Sequence, residues 1–208
     1  MENLIKSYPE LKVVVPKIND AVNRLINVYS NGGKILACGN GGSAADCEHI
    51  VGELLKEFKV KRKISKETQE KLLLSGASKE YLDNVYGALP AISLASHVGF
   101  ITAFINDADA DYVFAQQLYA LGKSGDALFA ISTSGNSLNI INVAIMAKAK
   151  DICVIGLTGE NGGKLSEYSD VLINVPSIET AKVQEYHLPV YHIICELLEK
   201  YFFGQESI

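Results

Sequence analysis

Residues 34–58 read KILACGNGGSAADCEHIVGELLKEF, and the way this stretch divides decides the architecture. Residues 34–38 are a short apolar run of the kind that forms a buried strand, and Gly39 to Ser43 make a turn. Residues 44–58 then carry helical spacing, with Ser43 placed as the N-cap. The same order returns downstream: an apolar run at 127–131 enters STSGNS (132–137), and a helix is predicted over 138–150. Further strands are predicted at 91–95, 152–157 and 171–175. Helices are predicted at 112–121, 164–168 and 180–203, the last with Pro189 inside it. Strands that are apolar throughout and alternate with helices belong to a parallel sheet covered on both faces, so the fold class is α/β.

Outside this pattern lie two segments. Residues 3–30 space their apolar side chains as helices do, interrupted at Pro9 and Pro16 and ended by Asn31-Gly32-Gly33. Residues 59–89 are polar and basic, and eight of the 19 Lys and Arg residues fall between Lys56 and Lys79. That segment reads as an excursion of one or two short helices outside the sheet layer.

The bulk numbers narrow the function classes. With 208 residues, 48% hydrophobic and 21% charged, the chain has the composition of one compact domain. A net charge of −5 weighs against nucleic acid as a partner, and no apolar run is long enough to cross a bilayer. The opening MENLIKSYPELK lacks the basic and apolar regions of a secretory signal. The four cysteines form no CxxC pair, so reduced thiols and a cytoplasmic location are expected.

CGNGGS and STSGNS both follow a predicted strand and precede a helix, where parallel sheets bind ligands. Glycine lets the backbone approach an anion, and a helix N-terminus offers free N–H groups with partial positive charge. Ser43, Ser132, Thr133, Ser134 and Ser137 add hydroxyl donors. Neither turn fits GxGxxG or GxxxxGK[ST], which points to a phosphomonoester and away from a dinucleotide or NTP. Taken singly, each turn also reads as an ordinary N-capped connection.

His49 and Glu53 stand four apart and share a helix face. The pair suits a metal, acid/base work or a structural hydrogen bond. Asp46 and Glu48 are assigned to other faces and to solvent, and Cys47 to the core. In VQEYHLPVYH (183–192), Gln184 and His192 are separated by a rise of roughly 12 Å on a straight helix. Bringing both to one small ion needs a bend at Pro189 or residues from different subunits. His187 reads as structural or surface, and His97 as a satisfied core histidine.

Together CGNGGS, His49-x-x-x-Glu53, Ile105-Asn106-Asp107, ISTSGNS and Gln184-x7-His192 resemble the phosphoheptose isomerases, a branch of the SIS (sugar isomerase) family. The resemblance implies a three-layer α/β/α sandwich with a five-stranded parallel sheet. It implies one SIS domain over 1–208, with an insertion at about 59–89, assembled as a homotetramer with active sites between subunits. The implied activity is aldose–ketose isomerisation of a phosphosugar, sedoheptulose 7-phosphate or a close relative. Ser43, Ser132, Thr133, Ser134 and Ser137 would hold the phosphate beside Gly41 and Gly42, with Asn40, Asp107 and Gln184 at the sugar. Glu53 would be the base and His192 the acid/base partner; in several family members the positions of His49, Glu53, Gln184 and His192 hold zinc.

The alternative is a non-catalytic SIS adaptor or sensor, a branch that lacks the glutamate. Three departures stand out: Glu57 where the family usually has arginine, Ala181 where it has aspartate, and the 59–89 segment. Lys56, Lys59 or Arg62 is expected to restore the missing positive charge.

Overall fold

The structure, a computed structural model, describes residues 1–204. Its strands are β1 (Ile35–Cys38), β2 (Ala91–Ser93), β3 (Ala127–Ile131), β4 (Cys153–Thr158) and β5 (Val171–Asn174). Its α-helices are α1 (Glu2–Ser7), α2 (Val15–Ser30), α3 (Gly42–Leu55), α4 (Lys66–Leu74), α5 (Lys79–Asp83), α6 (Val98–Asp107), α7 (Val113–Leu121), α8 (Leu138–Ala149) and α9 (Thr180–Phe203). Every strand pairing is parallel, in the order β2-β1-β3-β4-β5.

Alternate side chains of the sheet enter two cores. Ile35, Ala37, Phe129 and Ile155 pack with apolar residues of α2, α3 and α9. Leu36, Cys38, Leu128 and Val154 pack with those of α7 and α8. Burial on both faces is why these strands are apolar runs without alternation. The result is the expected three-layer sandwich. β2 lies on one side of β1 and β3 on the other, so the chain reverses its direction of travel across the sheet between them. The crevice beyond the carboxyl ends of β1 and β3 is the place such sheets reserve for ligands, and both Ser/Gly turns open there.

Three local readings change. α3 begins at Gly42, and Ser43 is no N-cap: it sits in the first turn, buried, with its N–H donating to Asn40 O at 3.0 Å. Gly41 occupies the cap position at φ +56°, a conformation open to glycine, and this lets the helix start earlier. α3 also stops at Leu55, because Lys56 is extended (φ −124°, ψ 170°) and the next backbone N–H groups bond elsewhere. α6 has no counterpart in the sequence reading. Its apolar residues Val98, Ile101 and Ile105 keep helical spacing, but none of them is buried and His97 at its N-cap makes no side-chain capping bond.

Residues 59–89 form the expected excursion: α4 and α5 bury no residue and carry serine caps at Ser65 and Ser78. The chain returns along its own exit, with Gly87 N donating to Arg62 O (2.8 Å) and Leu89 N to Leu54 O (2.9 Å). Among the described residues no helix is long and apolar enough to cross a membrane.

Candidate active site

The turn after β3 is braced from within. Gly135 N donates to Ser132 Oγ at 3.1 Å, and Ser132 Oγ lies 3.3 Å from Ser137 Oγ. Ser134 Oγ accepts from Asn136 N at 3.1 Å. Ser137 is the N-cap of α8 but makes no side-chain capping bond, which leaves its hydroxyl and the first N–H groups of α8 available to an anion. Thr133 is half-buried in the same turn, and its carbonyl accepts from Gly159 N at 3.0 Å.

The two turns are tied to each other. Asn40 and Asn139 exchange two amide hydrogen bonds, each of 2.9 Å, so the β1 turn and the first turn of α8 hold one geometry. Asn139 was not singled out from sequence; an asparagine just inside a helix that follows STSGNS was its only signal. Gln184, on α9, lies against the start of α3: an ideal Cβ at Gly42 would overlap its Nε2. A larger residue at 42 would therefore push the Gln184 amide aside.

Two turns further along α3, side chains from two helices converge. His49 Nε2 is 3.3 Å from Glu53 Oε1 and 3.4 Å from Nε2 of His192 on α9. The backbone of α9 stays helical through Pro189, so the helix brings Gln184 to the start of α3 and His192 to its middle. Glu53 is buried, and its second oxygen accepts from Lys56 Nζ at 2.8 Å. Burial lowers the His192 pKa, the neighbouring His49 and Lys59 lower it further, and Glu53 only partly offsets them, so His192 is neutral at pH 7. On its far side, His49 Nδ1 lies 3.0 Å from Tyr191 Oη, which donates to Asp46 Oδ1 at 3.2 Å. Among the described residues no group of three or more His, Cys, Asp or Glu is arranged to hold a metal ion as it stands.

Other readings are corrected here. Asp46 is half-buried and paired, because positions i, i+3 and i+7 put it on the face of His49 and Glu53. His97 is exposed, though satisfied, with Nδ1 2.6 Å from Gln117 Oε1. His187 is fully buried, and neither ring nitrogen meets a hydrogen-bond partner among the described residues. Of the three proposed replacement cations, Arg62 is sealed inside the protein and Lys59 pairs with Glu196. Lys56 alone of the three reaches a candidate catalytic side chain. Asp107 ends α6 exposed, accepting from Asn106 Nδ2 at 2.8 Å, and hydrogen-bonds to no other candidate among the described residues.

A parallel sheet with two Ser/Gly turns at its reversal point is the build of a phosphosugar-binding domain, and the SIS domain family model matches residues 12–92 and 85–159. The chain is 41% identical over 191 residues to the phosphoheptose isomerase of Aneurinibacillus thermoaerophilus, covering 92% of this chain and 84% of the relative. Solved phosphoheptose isomerases from Neisseria gonorrhoeae and Francisella tularensis superpose with TM-scores of 0.76 and 0.78 at 35% and 32% identity. Each superposition covers 96% of this chain and 94% of the other. The chain belongs to the phosphoheptose isomerase family within the SIS proteins. It is a phosphosugar isomerase, and the adaptor reading is not favoured.

Proposed function

We propose that the enzyme interconverts sedoheptulose 7-phosphate and an aldoheptose 7-phosphate. The observation that carries this is the contact of His49 with both Glu53 and His192 at the edge of a crevice lined by two hydroxyl-rich turns. Ser43, Ser132, Thr133, Ser134 and Ser137, with the backbone at Gly41 and Gly42, take the phosphate; Asn40, Gln184 and Asp107 take sugar hydroxyls. Glu53 removes the proton from C1 of the ketose and returns it to C2 of the enediol. Neutral His192 has one N–H and one lone pair, so it can move the hydroxyl proton between O1 and O2. Lys56, within reach of Glu53, supplies the positive charge that Glu57 does not.

The site also suits zinc. A tetrahedral ion with bonds of about 2.0–2.1 Å sets its ligands about 3.3–3.4 Å apart, and the His49–Glu53 and His49–His192 separations are 3.3 and 3.4 Å. His49, Glu53 and His192 are the residues of one chain that would hold it; Gln184, roughly 12 Å from His192 along a helix unbroken at Pro189 and set against Gly42, would reach the ion only from another subunit. When bound, zinc supplies Lewis-acid polarisation of the carbonyl. Ligation lowers the basicity of Glu53, so metal content and Glu53 function are to be measured together.

The same reading takes the chain as one SIS domain with 59–89 as its insertion, acting in the cytoplasm on a free sugar phosphate and not on nucleic acid. It forms a homotetramer whose sites are completed between subunits. Support comes from α6, an apolar helix with no buried residue and with Val98 67% and Ile105 48% exposed. Asp107, at its end, has no site partner among the described residues. A panel of ketose phosphates assayed for aldose product tests the activity, with Glu53→Gln expected to lower turnover by about 10²–10⁴-fold. Undiminished turnover in that variant sinks the mechanism. An Ile105→Lys variant that stays tetrameric by light scattering sinks the assembly.

A further inference from the structure

Asp46, Tyr191 and His49 form a hydrogen-bonded chain that the proposed reaction does not use. Asp46 and His49 lie one turn apart on α3, and the Tyr191 ring enters between them from α9, 1% exposed. Within the trio its hydroxyl is the donor that reaches Asp46, and a tyrosine oxygen can give one proton and accept another. A carboxylate only accepts. The hydroxyl proton therefore goes to Asp46 Oδ1, and Tyr191 Oη is left to accept from His49 Nδ1–H at 3.0 Å.

We propose that Asp46 and Tyr191 are positioning residues that hold His49 in the Nδ1–H tautomer, so that its Nε2 lone pair faces Glu53 and His192. The partner of one ring nitrogen decides the state of the other. Here the consequence falls on Nε2, the atom 3.3 Å from Glu53 Oε1 and 3.4 Å from His192 Nε2. Two electron-pair donors, His49 Nε2 and Glu53 Oε1, then face each other, and His192 Nε2 meets them either as a third or as the N–H donor to His49, an arrangement that attracts a proton or a cation into the gap. The Tyr191 ring also stands edge-on to His49 at 5.5 Å between centroids, which fixes the plane as well as the tautomer. This deepens the proposed function and rests on its assignment of His49 to the site.

The test is long-range ¹H–¹⁵N NMR at pH 7 on metal-free protein labelled at its four histidines. The expected wild-type pattern has His49 protonated at Nδ1 and bare at Nε2. Asp46→Asn gives Tyr191 Oη an amide donor, turns the hydroxyl proton onto His49 Nδ1, and moves the ring proton to Nε2. Tyr191→Phe removes only the hydroxyl and leaves a mixture of tautomers. In both variants kcat falls by about 10–100-fold with KM little changed, the range for a partner that orients a site histidine. A wild-type His49 protonated at Nε2, or a tautomer identical in all three proteins, overturns the proposal. Tautomers that shift as stated in an enzyme that isomerises no ketose phosphate would uphold this pair and refute the reaction instead.

Discussion

Replacing Arg62 with methionine is expected to be the most damaging single change away from the substrate crevice. The Arg62 side chain is 0% exposed, and all three of its bonds are 2.7 Å long: Nε to Glu199 Oε1, Nη1 to Leu54 O and Nη2 to Glu53 O. It thus satisfies two carbonyls at the C-terminal end of α3, including that of the proposed base, where a cation also complements the helix dipole. Methionine fills similar space but leaves both carbonyls and the Glu199 carboxylate without that donor. Breaking a buried ion pair costs about 3–5 kcal/mol. Glu199 keeps the N–H groups of Phe58 (2.8 Å), Lys59 (2.8 Å) and Val60 (3.2 Å), so the lower half of that range applies. For a chain of this size about 3–4 kcal/mol lowers Tm by roughly 6–16 °C. Thermal unfolding followed by circular dichroism at fixed protein concentration measures it, since assembly makes Tm concentration-dependent. Burial raises the Glu199 pKa, but the Phe58 and Lys59 N–H groups and Arg62 together outweigh it and hold the carboxyl below the usual range. A depressed pKa contributes stability that is present above the unfolded value, about 4.3, and is lost as pH falls through the folded one. The Tm gap between wild type and Arg62→Met should therefore narrow below about pH 4.3. Arg62→Met/Glu199→Gln should lose less than the two single changes added, because neither charge is left unpaired. A gap under about 2 °C at pH 7, less than 1 kcal/mol on the same conversion, refutes this account.

Gly42→Ala should fold normally, since residue 42 is exposed, yet lower kcat/KM by displacing Gln184; unchanged kinetics would remove Gln184 from the site. Burial holds His187 at about 4, only partly offset by the nearby Thr158 backbone. The unfolded chain then binds the extra proton first, so stability should fall by at most about 3 kcal/mol as pH drops from 6.5 to 4. His187→Leu should flatten that slope in urea titrations, and an unaltered slope excludes His187 as its source. Joining Lys63 to Tyr86 through a few Gly/Ser residues should keep the fold, because α4 and α5 bury nothing and Arg62 O already bonds to Gly87 N. Loss of cooperative unfolding in that variant would contradict it.

The sheet and its turns were legible in the sequence for a physical reason. A strand buried on both faces must be apolar along its whole length, and a turn at a strand end must supply what the ligand and the next helix need. Ile35–Cys38, Ala127–Ile131 and the serines that follow met both conditions without reference to distant residues. His49 and Glu53 were legible through helix spacing; Asp46 was open to the same arithmetic and was misplaced. Tyr191, Asn139 and the Arg62–Glu199 pair were not legible, because each acquires its role from a side chain on another element.

Glu57 shows how far that difference reaches. Read as a departure, it is a lost positive charge beside the substrate. In the fold, its Oε1 accepts from Arg62 N at 2.8 Å, and so helps turn the chain that sends the Arg62 guanidinium back beneath α3. An arginine at 57 could not accept that bond. The substitution at 57 and the cation at 62 therefore belong to one structure, the stem from which residues 59–89 leave and to which they return. That stem holds the α3 carbonyl end with buried charge, whatever hangs from it. Lys56, 2.8 Å from Glu53, is the cation left beside the carboxylate of the proposed base. A different sugar preference from the family's arginine-bearing members would thus be traced first to Lys56, and only through it to the insertion.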